Sequence, residues 1–382
     1  MWDGSRVNLP HDDIDPDGLL EYSVVFTDRS LNHMSQRFVH VMQDVIDVLR
    51  NTYGAHTVAI VPGGGSYGME AIARQLATGK RALVIRNGAF SYRWSQIFDA
   101  GRITDDATVC AARPLSDEHQ AAWQPAPLDE VVGQIRDKRP EVVFAPHVET
   151  ASGIVLPDDY VRAVSAAVHE VGGLFVLDCV ASGALWVDMG ALGVDVLLTA
   201  PQKGWSGTPC AGYVMLNEAA RAAVEGSTSS SFAMDLKKWL WITESYVEGK
   251  TPYHATMPTD GLAHNAALML EARDAGLEKL RAAQAELGAK VRAVLSDAGF
   301  RSVAADEFAS PSVVVVHTDD PELKTGAKFK QVGVQVAAGV PLQCGEPDDF
   351  GAFRIGLFGL DKLGDVDGTV ERFKAALSKL NA

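Results

Sequence analysis

Short apolar, β-branched segments alternate with stretches of helical periodicity through the first two hundred residues. Strand candidates are 57–61 (TVAIV), 82–86 (ALVIR), 141–146 (EVVFAP), 174–178 (LFVLD), 195–201 (DVLLTAP) and 212–216 (GYVML). Helices fit 66–78, 91–100, 127–138 and 158–172, and an earlier one spans 35–50, where Phe38, Val41, Met42, Val45 and Leu49 share one face. In the 66–78 helix Met69, Ile72, Ala73 and Leu76 recur at the helical interval, with Ser66 as the expected N-cap. Strands that are apolar almost throughout, interleaved with helices, predict a mainly parallel sheet covered on both faces. A long helical stretch follows at 262–298. Beyond it, 312–318, 332–339, 353–358 and a last helix at 365–379 predict a smaller α+β unit. The pattern therefore divides the chain into an irregular arm (1–20), a large domain (21–275) and a small C-terminal domain (276–382), with no internal repeat.

Composition changes this picture little. The chain has 382 residues, 47% of them hydrophobic, enough for a large conventional core in two domains. Its formal net charge is −15, with no run of Lys and Arg, which argues against nucleic-acid and anionic-membrane partners. Any anionic substrate must be held by a few local cations. Four cysteines without a CxxC pair fit a reducing cytoplasm and no structural metal. The first residues lack the apolar run of a signal peptide, and no stretch approaches membrane-spanning length. The expectation is a cytoplasmic protein.

Candidate chemistry gathers where strands end, because ligands of an open parallel sheet bind beyond the carboxyl ends of its strands. The first strand runs into Gly63-Gly64-Gly65-Ser66 and then a helix, a natural seat for a phosphate. Gly63, Gly65 and Gly68 also satisfy the spacing of a dinucleotide-binding turn. The second strand, however, ends in Arg86-Asn87-Gly88, with no acid for a ribose; an arginine there leaves an NADP-binding Rossmann-like oxidoreductase or binding module as one alternative. Two further strands end in Asp178 and, just beyond the apolar run, Lys203. A carboxylate, a lysine and a phosphate cradle along one edge suit pyridoxal phosphate (PLP). The amine can bond the aldehyde, and the carboxylate can keep the ring nitrogen protonated.

At these residues the chain resembles the class V aminotransferases of the fold-type I PLP superfamily, nearest to the alanine–glyoxylate and serine–glyoxylate (serine–pyruvate) enzymes. The matching segments, in order, are GGGSYGMEA (63–71), RNGAF (86–90), HVETASGI (147–154), LDCVAS (177–182), APQKG (200–204), YHATMP (253–258) and FRIGLFG (353–359). The resemblance implies a mainly parallel seven-stranded sheet between helices and a smaller C-terminal α+β domain. It implies a ping-pong transamination through an aldimine on Lys203, with Asp178 on the pyridinium nitrogen. Gly64, Gly65, Ser66 and Gln202 would hold the phosphate, Thr150 the phenolic oxygen, and Phe90 and Val180 the two faces of the ring. Tyr253 and Thr256 would reach the phosphate of a neighbouring subunit, making a homodimer with shared sites. Arg354, the one charge in an apolar strand, would take the substrate α-carboxylate. Alanine or serine as donor and glyoxylate or pyruvate as acceptor follow from the family alone. The usual Pro-Gly-Pro loop near the N-terminus is replaced here by LLEYSVVFTDRSLNHMS, and Ser66 stands where some relatives carry histidine, so the substrates stay open. A second alternative is a PLP-dependent cysteine desulfurase or lyase with Cys344 as nucleophile.

Overall fold

A computed structural model describes residues 9–380; the first eight residues of the arm assigned to 1–20 lie outside them. Regular structure begins at α1 (Gln36–Tyr53), whose N-cap Ser35 accepts the amide of Phe38. The large sheet then forms from β1 (Thr57–Pro62), β2 (Ala82–Arg86), β3 (Ala107–Ala111), β4 (Val142–Pro146), β5 (Leu174–Asp178), β6 (Val196–Thr199) and β7 (Ala211–Leu216). Their spatial order is β1-β7-β6-β5-β4-β2-β3. The pairs β2–β3, β2–β4, β4–β5 and β5–β6 are parallel. Only β7 is reversed, antiparallel to both β1 and β6. β1 therefore points the same way as β6, and six strands carry their C-terminal ends to one edge.

The helices α2 (Gly65–Leu76), α3 (Ala89–Gly101), α4 (Leu128–Lys138) and α5 (Asp158–Glu170) connect these strands. Every residue of β4, β6 and β7 is buried, as strands covered on both faces must be. The seventh strand, β3, was not legible as an apolar run. It lies at the sheet edge, and four of its five residues, all but Cys110, are half-buried or exposed.

After the sheet come α6 (Glu218–Glu225) and α7 (Leu236–Val247), two helices that the apolar pattern did not single out. The long stretch at 262–298 is two helices, α8 (Thr259–Ala275) and α9 (Leu277–Asp297), parted at Gly276, whose φ of +94° no helix admits. A small antiparallel sheet follows, ordered β8-β10-β9, from β8 (Val313–His317), β9 (Ala337–Ala338) and β10 (Ala352–Gly356), with α10 (Val366–Ser378) beside α9. The strand expected over 332–339 shrinks to Ala337–Ala338. A helical turn at Ala327–Gln331 and Gly333 at φ +80° take up the preceding residues.

Candidate active site

The common edge of β1, β2, β4, β5 and β6 collects the residues singled out from the sequence. Gly63 turns the chain at φ +121°, and a Cβ there would fall 2.5 Å from the Tyr67 ring. Gly64, not Ser66, is the N-cap of α2, its carbonyl accepting the amides of Tyr67 and Gly68. Ser66 sits inside the first turn, which frees its Oγ to accept a hydrogen bond from Arg93 Nη1 at 3.2 Å. Open space surrounds the Cα of Gly64, whereas a Cβ on Gly65 would stand 3.0 Å from Val180 Cγ2. Bare glycine thus lets the helix start lie against the Val180 loop, with its amides facing outward.

Asp178 ends β5 half-buried, and its Oδ1 accepts the amide of Val180 at 2.9 Å. Burial raises its pKa from 3.8 to about 6; Glu149 adds to the rise, and the Val180 amide and Arg93 oppose it. Lys203, in the turn after β6, has its ammonium 5.0 Å from the Phe358 ring centroid. No hydrogen bond or ion pair joins that ammonium to another described residue. Burial lowers its pKa, and Arg354 and Arg93 lower it further. Gln202 beside it buries an Oε1 that has no partner among the described residues. Thr150 is half-buried after β4, its hydroxyl likewise without a partner among the described residues.

Arg354 reaches this edge from the small sheet. Its Nε donates to the Ala338 carbonyl at 2.8 Å, and no carboxylate pairs with it among the described residues. Its guanidinium carbon stands 5.3 Å from the Phe90 centroid, and that of Arg93 stands 4.6 Å from the same ring. Phe90 is therefore flanked by two cations, an arrangement that the expected ring sandwich with Val180 did not foresee.

Two residues of the edge were not anticipated. Glu149 is buried without solvent exposure and accepts the amides of Phe90 (3.2 Å), Ser91 (2.9 Å) and Ala151 (2.9 Å) and the Ser91 hydroxyl (2.7 Å). A carboxylate at the start of α3 satisfies amides that the helix itself leaves free. Arg93 lies one turn beyond Phe90 on the same helix, a spacing the sequence displays.

Tyr253 and Thr256 are exposed, the Tyr253 hydroxyl 3.1 Å from Thr256 Oγ1 and its ring 5.6 Å from that of His33. Cys344 is the weaker candidate. Burial, then Glu149 and Glu346, push its thiol up to about 12, and its Sγ faces the carbonyls of Arg86 and Leu342. A nucleophilic cysteine needs the opposite shift. Arg86, offered as an NADP contact, stacks on Tyr92 and donates to Ser95 Oγ and the Gln343 carbonyl.

The donor set fits PLP. A lysine without a partner among the described residues and with a lowered pKa, a desolvated carboxylate, an amide oxygen likewise unpaired and an open glycine cradle are the groups that cofactor requires.

No family model matches the chain. It is 25% identical over 350 residues, 89% of this chain and 88% of the other, to a 2-aminoethylphosphonate–pyruvate transaminase of Salmonella typhimurium. Its fold matches an alanine–glyoxylate aminotransferase from Nostoc sp. with a TM-score of 0.76 at 21% identity, over 92% of this chain and 89% of that one. An aspartate aminotransferase of subgroup IV from Thermus thermophilus matches with a TM-score of 0.73 at 24% identity, over 92% and 93% of the two chains. Along nine-tenths of its length the chain is similar in sequence to PLP-dependent transaminases, and it shares the fold of the fold-type I aminotransferases, in keeping with the class V resemblance.

Proposed function

We propose that the protein moves an amino group from a small donor, alanine or serine first, to glyoxylate or pyruvate, and does so as a cytoplasmic homodimer. The observation that carries this reading is the pair at the C-terminal ends of adjacent parallel strands: Lys203, in the turn after β6, with its pKa lowered and Asp178, at the end of β5, with its pKa raised. PLP supplies an aldehyde and a ring that accepts electrons from the substrate Cα.

The chain's own residues do the rest. Lys203 Nζ, neutral more of the time than an ordinary lysine, is a nucleophile for the aldehyde and a base for the Cα proton. Asp178 holds a positive charge on the nitrogen that faces it. Gly64, Gly65, Ser66 and Gln202 hold the phosphate, Thr150 the phenolic oxygen, and Phe90 and Val180 enclose the ring. Arg354 takes the donor's carboxylate, because a planar guanidinium matches two carboxylate oxygens. Tyr253 and Thr256 serve the neighbouring subunit's phosphate.

A donor-by-acceptor screen on purified protein tests the reading. The visible or near-ultraviolet absorption of bound PLP should fall when the correct donor is added and return with glyoxylate or pyruvate. The screen includes 2-aminoethylphosphonate, whose phosphonate replaces a carboxylate and gives its name to the Salmonella relative's activity. Protein saturated with PLP that shows no such absorption, or that turns over no donor, defeats the proposal.

A further inference from the structure

The geometry points to Arg93 as the cation that holds the phosphate of the cofactor, a conclusion that rests on the reading of this edge as the PLP seat. A phosphate bound at the start of α2 carries close to two negative charges. The side chains assigned to it, Ser66, Gln202, Tyr253 and Thr256, are all neutral. Lys203 has the aldehyde to bond and Arg354 the substrate carboxylate, so neither is free to balance that charge.

Arg93 alone among the described cations touches the cradle, through its 3.2 Å hydrogen bond to Ser66 Oγ. No carboxylate pairs with it among the described residues. The acids of this edge are engaged elsewhere: Glu149 accepts three hydrogen bonds from the start of α3 and one from the Ala151 amide, and Asp178 accepts the Val180 amide. Its position is built rather than incidental. Glu149 fixes the first turn of α3, and the Phe90 ring supports the guanidinium at 4.6 Å. The remaining donors of the fork are available to phosphate oxygens. A grip of this kind retains the cofactor whenever Lys203 is not bonded to it.

The test compares Arg93→Gln and Arg93→Lys with the parent protein in two measurements. In absorbance titrations Arg93→Gln should weaken PLP binding about ten- to a hundredfold, the size of one charge-assisted contact. Pyridoxal, which lacks the phosphate, should bind the two proteins alike, and Arg93→Lys should recover part of the loss. Inorganic phosphate should raise the melting temperature of cofactor-free parent protein and raise that of Arg93→Gln much less. Should the glutamine variant fold poorly, Arg93→Met keeps the aliphatic stem on Phe90 and takes its place. Equal loss of PLP and pyridoxal, equal protection of parent and variant by phosphate, or unchanged PLP affinity with a raised donor KM overturns the assignment. A parent protein that turns over no donor, yet shows phosphate protection dependent on Arg93, overturns the proposed activity and leaves this inference standing.

Discussion

Asp178 carries opposite consequences for stability and for function. Its folded pKa of about 6 exceeds the ordinary aspartate value of 3.8, so the folded chain holds this proton more tightly than the unfolded chain does. Its contribution to the stability of cofactor-free protein is therefore full at low pH and is lost as pH rises through about 6. Affinity for a cationic ring nitrogen runs the other way, because only the ionised carboxylate attracts it. Asp178→Asn should raise the melting temperature of cofactor-free protein at pH 8, flatten its fall between pH 4 and 8, and weaken PLP binding. A lower melting temperature at pH 8 would contradict the desolvation argument. Arg354 makes a second prediction at this scale. Losing a charged, bidentate contact costs roughly 2–4 kcal/mol, about 30- to 1000-fold in kcat/KM. Arg354→Lys should show that loss with amino acids, keep its bound cofactor, and treat amines without an acidic group nearly as the parent does. Equal losses with both substrate classes would make Arg354 a structural residue.

At the scale of elements, the site depends on how closely α2 approaches the sheet. A Cβ on Gly68 would fall 2.5 Å from Leu198 Cδ1, and one on Gly212 of β7 would fall 2.8 Å from the Gly64 carbonyl oxygen. Helix and strand thus meet backbone to backbone, which holds the cradle over the ends of β5 and β6. Gly68→Ala should cost about 1–3 kcal/mol through overpacking. It should also displace the α2 start, so that PLP affinity falls together with the melting temperature; a variant unchanged in both would show that the helix has room to shift. These contacts explain what the sequence could and could not reveal. Lys203 and Asp178 were legible because each follows an apolar run, and strand direction then puts them on one edge. Six strands of the large sheet were legible for the same reason, but β3, half solvated at the margin, lacked the signal. Glu149 could not be found by pattern: its partners at Phe90 and Ser91 lie nearly sixty residues away, and they are backbone amides that any residue would offer. Ser66 was misplaced as a cap because the extended Gly64 before it leaves the same carbonyl free to begin the helix.

At the scale of the molecule, several large apolar side chains are more exposed than an isolated chain would favour. Leu19, Tyr22 and Val24 are 82%, 89% and 102% exposed, and Phe232, which stacks on His254, is 75% exposed. His33 connects the segment after the arm to Tyr253 through its ring contacts with Phe26 and Tyr253. Burying each such side chain is worth about 1.5–3 kcal/mol, so covering them with a second copy favours a dimer. A C2 interface brings the same patch from both subunits together, and it would carry each exposed Tyr253–Thr256 pair toward the partner's cradle. That arrangement makes a prediction that a site confined to one chain does not. A Lys203→Ala protomer lacks the amine, and a Tyr253→Phe, Thr256→Ala protomer lacks the two hydroxyls, so each homodimer should be impaired at both of its sites. In a mixed dimer one site receives both lesions and the other receives neither. Mixing the two variants under conditions that exchange subunits should therefore restore up to about a quarter of the parent activity, as half the dimers carry one intact site of two. Subunit exchange confirmed by mass, with no activity restored, would place Tyr253 and Thr256 at their own chain's phosphate and remove the argument for a shared site.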